Sequence, residues 1–144
     1  MRNGYKNYLD QEVLTANPLG LVELLYRGAL DAIGSARRYL KAGDIRARSR
    51  AITKAMEIVT ELARSLNPTA GPELVTSLAD LYRYTLTLLI EANTKQADAP
   101  LAEAERLLGT LAEAWKNCSA EVNSHLSKES QETSEEYQPV SCAY

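Results

Sequence analysis

Phenylalanine is absent from this chain and tryptophan occurs once. The core must therefore rest on Leu, Ala, Ile, Val and Tyr, a mixture that favours helices over sheets. Cysteine is scarce: Cys118 and Cys142 sit late in the chain, outside any CxxC or metal-ligand spacing, so no metal site is expected and a reduced, cytosolic protein is the simplest reading. The single histidine, His125, lies near the predicted end of the last helix, where no nucleophile or carboxylate is evidently fixed beside it. A lone histidine there reads as a surface residue rather than a general base. There is no internal repeat and no Gly-rich loop. No apolar run approaches the roughly 18 residues of a membrane span, and the first residues, MRNGYKNYLDQEV, carry charges where a signal peptide needs an apolar stretch. Neither export nor membrane insertion is expected. The net charge of -3 argues neither for a globally basic nucleic-acid binder nor for an acidic solubilising protein.

What is present is a regular alternation of helical patterns and stops. The 144 residues suit one domain with a sizeable core. Asn17 is a good N-cap, and Pro18 fits the first helical turn because its missing N–H had no intrahelical partner there. The first helix runs to about Lys41 along the line Val22, Leu25, Ala29, Ile33 and Ala36, with Leu21, Leu24 and Tyr26 as additional apolar surface. Gly43 can take the left-handed conformation that ends it, and Asp44 can cap the second helix. Ile45, Ile52, Ala55, Val59, Leu62 and Leu66 form one face of that helix, which Asn67 and Pro68 stop. NPTAGP reads as a loop. Pro72 and Glu73 restart a third helix to about Thr94 or Ala97. Asp98 and Pro100 open the fourth, in which Leu101, Ala104, Leu108, Leu111, Trp115, Cys118 and Val122 keep helical spacing. Four helices of roughly 20 residues span about 30 Å, and such short connections imply antiparallel neighbours. The expected fold is all-α: an antiparallel up-down four-helix bundle over 17–126, with a short N-terminal segment over 1–16 and a disordered tail over 127–144, where SKESQETSEEYQPVSCAY has almost no aliphatic residues.

Carboxylates are scattered rather than paired at core positions, so neither an acid/base pair nor a di-metal bundle site is encoded. No enzyme, cofactor or metal is expected. The third helix departs from a plain bundle. At about 100° per residue, Leu74, Val75, Leu78, Leu81, Tyr82, Leu86, Leu89 and Ile90 spread over roughly half the helix. Either this helix is the most buried one, or part of the arc is a groove in which Tyr82, Leu86 and Leu89 hold a partner and Asn93 bonds to its backbone. A basic cluster, Arg37, Arg38, Lys41, Arg46, Arg48 and Arg50, surrounds the first hairpin. It can be a solvated face complementing a helix dipole, a contact for a partner's acids, or a phosphate contact; interleaved aromatics beyond Tyr39 are lacking.

Four segments in order, NPLGLVELLYRGALDAIGSA, GDIRARSRAITKAMEIVTEL, GPELVTSLADLYRYTLTLLIEAN and LAEAERLLGTLAEAW, resemble the flagellar secretion chaperone family FliS. The resemblance covers about Tyr5 to Trp115. It implies a small cytosolic helical bundle, not an enzyme, that binds the C-terminal segment of flagellin, prevents premature polymerisation and helps deliver it to the flagellar export apparatus. It further implies partner-binding roles for Tyr5 and Tyr8 in a movable N-terminal lid, for Ile52, Lys54, Ala55 and Met56 on the second helix, and for Tyr82, Leu86, Leu89 and Asn93 on the third. The chain departs from the family pattern at Ser49 and Ser77, where Asn is frequent, and at Arg27 and Arg83, where Asp is common. All four can be solvent-facing or groove-edge positions. A flagellin partner, with no nucleic acid and no membrane insertion, is the leading expectation. A helical adaptor or regulator, linked to nucleic acid through the basic hairpin, is the alternative.

Overall fold

A computed structural model describes residues 18–129. Among the described residues there are four α-helices, named here α1 (Pro18–Ala42), α2 (Ile45–Arg64), α3 (Pro72–Lys95) and α4 (Asp98–Glu129), and one 3-10 turn, Pro68–Ala70. The expected all-α four-helix bundle is the observed architecture. The N-terminal segment, the cap at Asn17 and most of the tail lie outside the described residues.

The connections explain the folding back. After α1, Gly43 takes a left-handed φ of 74°. Its N–H donates to the Leu40 carbonyl at 3.2 Å, while the Asp44 N–H reaches the Tyr39 carbonyl at 3.0 Å, the paired bonds of a Schellman stop. The Asp44 carboxylate then accepts from the Ala47 N–H at 3.1 Å and caps α2. One residue thus ends a helix and the next starts another in the opposite direction. The NPTAGP segment is not wholly irregular. Asn67 caps a single 3-10 turn by accepting from the Thr69 N–H, and Gly71 at φ 107° precedes Pro72 in the first turn of α3. Between α3 and α4 the left-handed position is held by Gln96, φ 51°, a residue with a Cβ. The fourth helix continues through Glu129, past the expected end at Leu126, in keeping with the good helix propensity of Lys and Glu.

The helices pack in a ring: α1 touches α2 and α4, and α3 touches α2 and α4, with no backbone approach across either diagonal among the described residues. Side chains fill the centre. Val22, Leu25, Ala29, Ile33 and Ala36 from α1, Ile52, Ala55, Val59 and Leu62 from α2, and Leu101, Ala104, Leu108 and Trp115 from α4 are all buried, as their spacing predicts. Two positions differ. Ile45, expected on the core face, is 57% exposed at the first turn of α2, because the bundle starts one turn later. Tyr26, expected as surplus surface, is 1% exposed, and its hydroxyl meets that of Tyr82 at 2.6 Å across the core diagonal. Cys118 also departs from expectation. It is disulfide-bonded rather than reduced, since bonding depends on two sulfurs meeting in space, which spacing along a chain does not encode.

A candidate partner-binding furrow between two helices

The arc on α3 divides between two environments. Leu78, Tyr82, Leu88, Leu89 and Ala92 face the core. Beside them Val75, Ala79, Leu86 and Asn93 are half-buried and Ile90 is 53% exposed. At about 100° per residue these five lie within roughly 60° of one another, on one flank of the helix. A similar flank runs along α2, where Ser49, Met56, Thr60 and Ala63 are half-buried.

Hydrogen bonds show that the two flanks face each other. The Ser49 hydroxyl donates to Asn93 Oδ1 at 3.1 Å, and Arg48 Nε donates to the same oxygen at 3.4 Å. Because α2 and α3 are antiparallel, this contact fixes their register. Seven residues onward from Ser49 and seven back from Asn93 stand Met56 and Leu86, about 10 Å along the axes, and one further heptad brings Ala63 level with Ala79. The α2/α3 seam is therefore a candidate furrow: Met56 and Leu86 pack against the core while staying partly exposed, Ile90 stands 53% exposed beside them, small residues follow at one end, and the Ser49, Arg48 and Asn93 cluster lies at the other.

The sequence-predicted residues distribute unevenly over this site. Met56, Leu86 and Asn93 are brought together on it. Ile52, Ala55, Tyr82 and Leu89 are interior instead, each at most 1% exposed; they present no side-chain surface and support the furrow from below. Lys54 is exposed on α2, about 160° round the helix from Met56. Tyr5 and Tyr8 lie outside the described residues. Ile90, Thr60, Ala63 and Ala79 are the residues that the site reading missed. The signal for them is the helical phase of Met56 and Asn93, which they share.

The basic cluster does not form one surface. Arg37 reaches α4, where its Nε and one terminal nitrogen hold the Asp98 carboxylate at 2.8 and 2.9 Å and the other holds Glu105 at 2.9 Å. The hydrogen bonds to Asp98 and then to Glu105 raise the guanidinium's pKa, and Arg37 in turn lowers that of Asp98. Arg38 donates to Ser35, Arg48 is buried, and Lys41, Arg46 and Arg50 are exposed. On the far side of α3 the Tyr84 hydroxyl donates to Glu103, a bond that raises the phenol's pKa. The departures from the family pattern are peripheral, as expected. Arg27, Ser77 and Arg83 are exposed, Arg27 and Arg83 beside Glu23 and Asp80, and Ser49 is at the furrow edge.

Among the described residues no three His, Cys, Asp or Glu side chains are grouped to hold a metal ion, and no helix is long and apolar enough to cross a membrane.

Known proteins point the same way. The model of a family described as flagellar protein FliS matches residues 1–122. The flagellar secretion chaperone FliS of Salmonella typhimurium is 35% identical over 126 residues, which cover 84% of this chain and 93% of that protein. The FliS chaperone of Bacillus subtilis is 33% identical over 116 residues, 81% of this chain and 86% of its own length. The Pseudomonas aeruginosa chaperone FliSB is 32% identical over 111 residues, 77% and 88% of the two chains. A match that runs through all four helices, at such identities and over most of both partners, means that this chain belongs to the FliS family of flagellar proteins.

Proposed function

We propose that the chain is a cytosolic, non-catalytic export chaperone that binds the C-terminal segment of flagellin, keeps it from polymerising prematurely and assists its delivery to the flagellar export apparatus. The observation that carries this reading is the α2/α3 furrow: after the core is filled, Met56, Leu86 and Ile90 still present apolar surface along one line. A partner that suits it is an amphipathic segment without a fold of its own. Covering its apolar face removes the surface through which it would assemble, and coupled folding and binding of this kind buries on the order of 1,000 to 3,000 Å². The N-terminal segment with Tyr5 and Tyr8 is the lid in this scheme. Family membership and the names of the relatives support the same reading.

The test is flagellin polymerisation followed by light scattering. One equivalent of the purified chain should suppress filament growth and bind flagellin about one to one, and it should not bind flagellin lacking the C-terminal segment. Equal binding to the truncated protein would overturn the reading. So would affinity that collapses with added salt, because a phosphate-dominated contact loses orders of magnitude between low and physiological salt, whereas an apolar furrow changes little.

A further inference from the structure

The closed end of the furrow contains a charge that the fold does not neutralise. Arg48 is 4% exposed, yet among the described residues no carboxylate lies within ion-pair distance of it, and its one hydrogen bond runs from Nε to Asn93 Oδ1. A guanidinium carries five N–H donors and no acceptor. Burying one without a counter-charge is costly, so this position stabilises the free bundle less than an apolar side chain would. The terminal nitrogens keep a small contact with solvent, since they are not among the side-chain atoms sealed inside the bundle.

Asn93 adds to the same polarity. Its Oδ1 accepts from both Ser49 and Arg48, which turns the carbonyl toward α2 and leaves the amide nitrogen, a donor of two hydrogens, on the other side. The first turn of α2 contributes the positive end of a helix dipole, and Arg46 and Arg50 stand exposed beside it. Positive charge predominates at this end of the furrow, since the carboxylate that caps α2, Asp44, is already engaged by the Ala47 N–H and Asn93 Oδ1 by Ser49 and Arg48. The matching ligand is an anionic acceptor with two oxygens, which a guanidinium fork binds in a planar, bidentate way.

We propose that Arg48, assisted by Asn93, receives the chain-terminal carboxylate of the partner segment that occupies the α2/α3 furrow. This rests on the reading of the chain as a chaperone for a C-terminal segment. Such a segment ends in a carboxylate whatever its side chains are, and the Arg48–Asn93 cluster lies at the end of the furrow rather than along it. The bundle retains a buried charge because the guest supplies its counter-ion. The terminal carboxylate thereby sets the register in which the guest's apolar side chains meet Met56 and Leu86.

The experiment compares two flagellin C-terminal peptides, one with a free carboxylate and one amidated, by calorimetric titration into the full-length chain and into Arg48→Met. In the unaltered chain, amidation should weaken binding about tenfold or more, the range expected when a hydrogen bond to a charged group is lost. In Arg48→Met, both peptides should bind equally, at the level of the amidated peptide with the unaltered chain. Melting of Arg48→Met should be unchanged or raised. Should that variant fail to fold, Asn93→Leu provides the second arm and should reduce the amidation effect without abolishing binding. Amidation without effect on the unaltered chain, or an equal effect in the presence and absence of Arg48, overturns the inference while leaving the chaperone reading intact. A silent amidation together with a costly Arg48→Met would move the recognised carboxylate to a guest side chain and likewise overturn it. Failure of the free-acid peptide to bind at all overturns the chaperone reading itself.

Discussion

Two neighbouring leucines on α3 separate the core from the furrow, and glutamate at each should do opposite things. Leu89 is 0% exposed. Leu89→Glu loses about 2 to 3 kcal/mol of side-chain burial and places a carboxylate among apolar groups of the core, which costs several kcal/mol more unless it is protonated or reaches Arg48, held beside Asn93 one turn away. Against a domain stability of roughly 5 to 15 kcal/mol, that unfolds the bundle or leaves it marginal. Leu86 is half-buried and Ile90 is 53% exposed. There the carboxylates stay hydrated in the free protein, so Leu86→Glu with Ile90→Glu should cost the fold only about 1 kcal/mol. In a complex the same pair is decisive. Half an isoleucine or leucine contributes about 1 kcal/mol on burial, and a carboxylate pressed against an apolar guest adds about 1 to 3 kcal/mol of desolvation at each position. The sum, roughly 4 kcal/mol or more, is close to a thousandfold in affinity. Circular dichroism and a thermal melt read the first effect, and titration with the flagellin C-terminal peptide reads the second. A folded Leu86→Glu, Ile90→Glu variant that binds with unaltered affinity would refute the furrow, and a folded, wild-type-stable Leu89→Glu would refute the core assignment.

Further tests concern the bundle. Leu108 and Val59 are both 0% exposed, so Leu108→Ala should lose about 2 to 5 kcal/mol and Val59→Ala less, measured by urea unfolding; near-wild-type midpoints would mean that the helix faces are mis-phased. Gln96 holds a left-handed φ of 51° at the end of α3, and Gln96→Gly should raise stability by about 0.5 to 1 kcal/mol by removing the Cβ strain, seen as a higher melting temperature. Arg37 lowers the pKa of Asp98, so the pair contributes stability above the ordinary aspartate value, near 4, and loses it as pH falls through the folded value. The side chains are 37% and 51% exposed, which screens the pair to less than about 1 kcal/mol. Asp98→Asn should therefore be slightly less stable than the unaltered chain at pH 7 and converge with it in strong acid, in melts recorded across pH.

Much of this architecture is decided by the chain locally. The four helices, the stop at Gly43, the cap at Asp44, the restart at Pro72 and the core lines of α1 and α4 depend on φ preferences, missing N–H groups and 3.6-residue periodicity, and these act over a few residues at a time. The family too was legible, because its motifs are runs of sequence. Periodicity could show that α3 carries more apolar arc than one stripe, but not where the boundary falls inside that arc. Tyr82 and Leu89 differ from Leu86 and Ile90 only in phase, and phase has no zero until neighbouring helices dock. The same docking drew Tyr26 inward to meet Tyr82, took Arg37 to the acids of α4 and buried Arg48 beside Asn93, so that residues clustered in sequence parted in space. Local chemistry fixes what each helix can present. Which face becomes floor, wall or pocket is set by long-range packing, because burial belongs to the assembled surfaces and not to any single residue.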